Sequence, residues 1–166
     1  MTDFDAIDKT LLRSLQEDAS KPVAELAELV NLSVNACWRR IKRFEEQKII
    51  QARVALLDPE QLGLRLTAFV SVKTNQHNPQ WLSEFAEGVK SIPEVVEFYR
   101  LSGDIDYLLK IRLKDINDYD RVYKALISTA PIADVSSSFT MEEMKHTTAI
   151  PISCCLLYTS PSPRDS

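Results

Sequence analysis

Over residues 5–18 (DAIDKTLLRSLQED), Ile7, Leu11 and Leu15 return every fourth position with Leu12 beside them, and polar residues fill the rest. That spacing predicts an amphipathic helix. Asp18-Ala19-Ser20-Lys21-Pro22 breaks the pattern, and Pro22 suits the start of a second helix over about 23–30. There Val23, Leu26, Ala27 and Val30 share a face. Asn31-Leu32-Ser33 interrupts again, and a third helix is expected from Val34 to about Gln47. Its wheel places Val34, Cys37, Ile41 and Phe44 on one side. Asn35, Arg39, Lys42 and Glu46 lie opposite, flanked by Trp38 and Arg43. Residues 49–57 (IIQARVALL) then read as a strand, and Asp58-Pro59-Glu60-Gln61-Leu62-Gly63 as a turn and linker.

From residue 66 the pattern changes. Residues 66–73 (LTAFVSVK) are rich in β-branched and aromatic side chains, as strands are. Asn78-Pro79 pairs an N-cap with a proline at the first helical position, opening a helix with Trp81, Phe85, Val89 and Ile92 on one side. Pro93 ends it. Strands are expected over 95–101 and 107–113, joined by the hairpin turn Ser102-Gly103-Asp104-Ile105-Asp106. Asp115 caps a helix over 116–128, with Ile116, Tyr119, Tyr123 and Leu126 facing inward, and a last strand covers 132–141. The order βαββαβ is the split, ferredoxin-like arrangement. The expected fold class is α+β: a winged-type helix-turn-helix domain over 1–63 and a ferredoxin-like domain over 64–152. Residues 153–166 (SCCLLYTSPSPRDS) turn abruptly to Ser and Pro without periodicity. They read either as translated adapter sequence or as a disordered tail, and enter no functional reading.

Three short helices with a three-residue break between the second and third define a helix-turn-helix. The break has suitable chemistry. Asn31 tolerates the left-handed conformation that the turn needs, Leu32 can plug the angle between the helices, and Ser33 is a good N-cap. The chain carries a net charge of −4, an unusual balance for a nucleic-acid binder. Phosphate contacts depend on the local patch rather than the total, however. Arg39, Arg40, Lys42, Arg43 and Lys48 crowd into residues 34–48 against only Glu45 and Glu46. This moves the reading from a solvated helical hairpin to a DNA-binding helix. Ser33, Asn35, Trp38, Arg39, Arg40, Lys42 and Arg43 form the candidate DNA-binding set. Asn35, Trp38, Arg39 and Lys42 would face bases, and Arg40 and Arg43 would bind phosphate. Trp38 either faces DNA or packs against the first helix. Cys37, on the apolar side, reads as a small core residue.

Other functions lack a foothold. His77 and His146 stand outside any triad or ligand spacing, and no phosphate loop or nucleotide fingerprint is present, so no enzyme, cofactor or metal site is expected. No apolar run approaches the ~18 residues of a membrane helix, and the acidic start Met1-Thr2-Asp3-Phe4-Asp5 is unlike a signal peptide, so the expected location is cytoplasmic. An architectural DNA-compacting protein remains a rival, because basic residues serve specific and non-specific binding alike.

Several segments in order resemble the Lrp/AsnC (feast/famine) family of transcription regulators. They are Asp5-Ala6-Ile7-Asp8-Lys9-Thr10-Leu11-Leu12, Asn31-Leu32-Ser33, Cys37-Trp38-Arg39-Arg40-Ile41-Lys42-Arg43, Leu62-Gly63-Leu64, Ser102 to Lys110 and Met141-Glu142-Glu143-Met144-Lys145. One departure is Lys48, where the family often has Gly. The segments Ala55 to Glu60, Thr67 to Val70 and Ser137 to Glu142 are most similar to the branch concerned with cysteine detoxification. The resemblance implies a regulator of double-stranded DNA that responds to an amino acid, with cysteine a candidate. It also implies a homodimer built through the C-terminal sheets, and octamers or similar rings above it. Gly103, Asp104 and Asp106 would border the effector pocket. Without the resemblance that turn reads first as an ordinary β-turn, where Gly and Asp are common.

Overall fold

The computed structural model describes residues 4–153. The chain divides into two compact units, one running to Ala55 and rejoined by the residues from Lys145 onward, the other Leu56–Met144.

The first unit holds α1 (Ala6–Glu17), α2 (Val23–Leu29) and α3 (Val34–Glu46). Asp5 caps α1 by accepting the Asp8 N–H at 2.8 Å, and the Asp8 carboxylate accepts the Asp5 N–H at 3.4 Å, a reciprocal capping box. Leu11, Leu12 and Leu15 of α1, Leu26 and Ala27 of α2, and Cys37, Ile41 and Phe44 of α3 form one buried cluster. The four-residue period placed all of these correctly. Val34 departs from expectation and is exposed, because it opens the first turn of α3, ahead of the packed stretch.

Both α2 and α3 end in the same motif. Past α2, Asn31 takes φ 55°, its N–H reaches the Glu28 carbonyl and the Leu32 N–H reaches Ala27. Past α3, Lys48 takes φ 59°, its N–H reaches Glu45 and the Ile49 N–H reaches Phe44. These are Schellman closures, which satisfy carbonyls that the helix leaves unpaired.

The strand and wing expected over 49–57 are not formed. Ile49 and Ile50 pack on the helical cluster instead, while Val54, Leu56 and Leu57 are exposed and residues 51–57 pair with no strand. β-branched content supplies propensity, but a strand also needs a ladder partner. In place of a wing, a segment from far along the chain closes this unit. The Arg13 Nε donates to the Ile152 carbonyl at 3.0 Å. Gln16 donates to the Ile150 carbonyl at 2.9 Å and accepts its N–H at 3.0 Å. Ile152 packs against the helical cluster. This segment was expected to belong with the ferredoxin-like domain. The tail expected over 153–166 lies, beyond Ser153, outside the described residues.

The second unit is β1 (Leu66–Lys73), α4 (Pro79–Lys90), β2 (Val95–Arg100), β3 (Tyr107–Leu113), α5 (Ile116–Ile127) and β4 (Asp134–Phe139). Its antiparallel sheet has the order β2-β3-β1-β4, the ferredoxin-like topology read from the sequence. Ala68, Val70 and Val72 of β1 and Tyr107, Leu109, Ile111 and Leu113 of β3 alternate inward, onto Trp81, Phe85 and Val89 of α4 and Val122 and Leu126 of α5. Asn78 and Asp115 cap α4 and α5 as expected. On α5, Ile116 is exposed rather than inward, and Val122 takes the fully buried place, with Tyr119 and Tyr123 only half-buried. Ile116 stands in the first turn of α5, as Val34 does in α3, where an apolar residue on the right side of the wheel still has little packed above it.

Candidate nucleic-acid interface and effector turn

Ser33 caps α3, its hydroxyl accepting the Ala36 N–H at 3.2 Å. Asn35, Trp38, Arg39 and Lys42 are all exposed and lie on one side of α3. Trp38 is 49% exposed and stands outside the buried helical cluster. Lys42 Nζ sits 4.8 Å from the centroid of its ring, a cation–π pair that stiffens two long side chains on the outer face. Cys37 is fully buried with a free thiol, and burial pushes that thiol's pKa up, away from reactivity.

The other two arginines are placed differently. Arg40 Nη1 donates to Asp5 at 2.6 Å and to Asp8 at 2.9 Å, and Arg43 Nη2 donates to Asp8 at 2.7 Å. Both arginines, assigned to phosphate from the sequence, are thus engaged by carboxylates of the α1 cap. The Arg40 guanidinium beside Asp5 holds that carboxyl below its ordinary range. The sequence reading missed Asp5 and Asp8 as partners of α3. The available signal is the acidic pair three residues apart at the head of a helix.

In the second unit, residues 102–106 join β2 and β3. Gly103 has φ 141° with open space where a side chain would stand, and Asp104 is exposed. Asp106 is held. Its carboxylate accepts the Thr74 N–H at 2.8 Å, its own N–H donates to Val72 at 3.0 Å, and its carbonyl accepts from Leu101 at 2.8 Å. The two acids of the turn therefore differ: Asp104 offers a free carboxylate to solvent, and Asp106 ties the turn to the end of β1.

A capped, basic third helix on a helix-turn-helix, carried by a chain with a separate α/β unit, defines a DNA-binding regulator. The AsnC-type helix-turn-helix domain matches residues 4–45 and the Lrp/AsnC ligand binding domain matches residues 67–150. The chain belongs to the Lrp/AsnC family of transcriptional regulators. It is 49% identical over 149 residues to the glutamate uptake regulatory protein of Zymomonas mobilis (90% of this chain, 91% of that protein). Over 150 residues it is 46% identical to the DNA-binding transcriptional activator DecR of Escherichia coli K12 (90% and 99%). Among solved structures it resembles an AsnC family transcriptional regulator from Agrobacterium tumefaciens, with TM-score 0.86 and 51% identity over 89% of this chain and 97% of that one. It also resembles a transcriptional regulator from Neisseria meningitidis in complex with L-Met, with TM-score 0.85 and 37% identity over 90% and 97%. These relatives regulate transcription and are not enzymes. No described helix is long and apolar enough to cross a membrane.

Proposed function

We propose that this protein binds operator DNA through the exposed side of α3, as a cytoplasmic homodimer that assembles further into octamers or similar rings, and that an amino acid bound beside residues 102–106 changes its assembly or operator affinity. The observation that carries the reading is the exposed, capped surface of Ser33, Asn35, Trp38, Arg39 and Lys42 on a helix-turn-helix. Arg39 is the strongest candidate for a base contact, since guanidinium pairs bidentately with a guanine edge, worth about 1–3 kcal/mol of discrimination. One such helix reads few base pairs, so a dimer on half-sites about one helical turn apart supplies specificity.

For the effector, an ammonium needs acceptors and a carboxylate needs N–H donors. The Asp104 carboxylate and the open backbone at Gly103 supply one of each kind. The relative bound to L-Met supports an amino acid as the class. Cysteine is the first candidate, because of the resemblance to the cysteine-detoxification branch. Genome-wide mapping of bound sites with and without added cysteine tests both halves. Discrete sites whose occupancy changes with cysteine support the reading. Uniform coverage of the chromosome would favour the architectural rival, and sites indifferent to every amino acid would remove the sensor.

A further inference from the structure

Basic residues on a DNA-reading helix are ordinarily counted as phosphate binders. Here two of them are already bound to phosphate-like partners. Asp8 is buried, with 3% of its side chain exposed, and gives one oxygen to Arg40 and the other to Arg43. Asp5, whose side chain is 53% exposed, adds a second carboxylate to Arg40 at 2.6 Å. Both acids are fixed in place by their own capping box, so the carboxylates are preorganised. Handing both arginines to DNA would leave Asp8 buried and unpaired, which is heavily unfavourable. By contrast Arg39 and Lys42 are exposed and make no ion pair with a described carboxylate.

We infer that Asp5 and Asp8 are positioning residues that set the strength of sequence-independent binding: they withhold Arg40 and Arg43 from DNA phosphate and so weaken the hold of α3 on DNA of any sequence. This deepens the DNA-binding reading and rests on it. Phosphate contacts strengthen binding to every sequence alike, so withholding two cations lowers the sequence-independent part of the affinity and leaves more of the total to the exposed side chains of α3. The same pairs fix the angular setting of α3 on α1, so that Asn35, Trp38 and Arg39 are presented outward.

The test uses the full chain and a random-sequence duplex titrated over a range of salt. Asp5→Asn carries it, because Asn caps a helix as well as Asp does and only the charge changes. Random-duplex affinity should rise severalfold and the slope of log affinity against log salt should steepen by up to about 0.9. The gain should vanish in an Arg40→Gln background, which separates release of Arg40 from a general change in net charge. Arg40→Gln alone should leave the slope as in the parent, while Lys42→Gln flattens it by about 0.9. A flattening by Arg40→Gln equal to that of Lys42→Gln, or an Asp5→Asn protein indistinguishable from the parent on random duplex, would overturn the inference while leaving the α3 reading intact. Duplex binding insensitive to both Arg39→Ala and Lys42→Gln would instead sink the α3 reading, and this inference with it.

Discussion

Asn31 and Lys48 hold the same station at the ends of successive helices, each one residue past the cap, with φ of 55° and 59°. The strain differs. Asn is among the few side chains that visit the left-handed region readily, whereas Lys suffers the full contact between Cβ and carbonyl oxygen. Lys48→Gly should therefore raise the stability of the N-terminal unit by about 1 kcal/mol, and Asn31→Gly should change it little. Thermal melts of both variants decide the point. No gain from Lys48→Gly would mean that Lys48 has a compensating contact or a less strained backbone.

Trp38 and Trp81 divide the fluorescence. Trp81 is 3% exposed and its indole N–H donates to the Pro131 carbonyl at 2.7 Å, while Trp38 stands half in solvent on α3. Duplex DNA should quench or shift emission from Trp38 alone. Trp38→Phe should abolish the DNA-dependent signal, and a signal that survives it would place the duplex elsewhere.

Asp5 titrates below the ordinary carboxylate range, chiefly because it accepts a hydrogen bond from Arg40. A carboxylate lowered in the folded state stabilises that state above its unfolded pKa, and the contribution disappears as pH falls through the folded value. The parent should thus be more stable than D5N near neutrality, and the two should converge as pH drops below about 4. The gap should stay under about 1 kcal/mol because the pair is half exposed. A gap constant from pH 7 down through the acid range would mean that the ion pair contributes nothing.

The two acids of the β2–β3 turn should separate on mutation. Asp104→Ala should weaken amino-acid binding with the melting temperature unchanged. Asp106→Ala removes the acceptor of the Thr74 N–H and should lower stability by about 1–3 kcal/mol. Calorimetric titration with cysteine, alongside melts, reads both. Equal destabilisation by the two substitutions, or full affinity in Asp104→Ala, would refute this division of roles.

What the sequence made legible here was local. Helical periodicity placed Leu11, Leu15, Ile41 and Phe44 in one core, and Ser33, Asn78 and Asp115 as caps, because each of these depends on neighbours within a turn or two. The ferredoxin-like order followed from strand and helix alternation for the same reason. What escaped was non-local. Nothing in residues 40 and 43 announces that their partners are Asp5 and Asp8, some 32–35 residues away. Asp104 and Asp106 are the same amino acid in the same turn, and only the register of β1 beside the turn separates them. IIQARVALL carries strand propensity with no strand to pair with, and propensity cannot report a missing partner.

The hydrogen bonds from Arg13 and Gln16 to the carbonyls of Ile152 and Ile150 span most of the chain. A ribosome makes residues 56–144 between the two halves of that contact. Domains ordinarily fold as they emerge, the N-terminal one first. In this protein the three helices can condense early, but α1 acquires its last partners only after the whole ligand-binding domain has been synthesised. Nascent chains stalled before Lys145 would carry a helix-turn-helix lacking those contacts, so completion of the DNA-binding unit is tied to completion of its sensor.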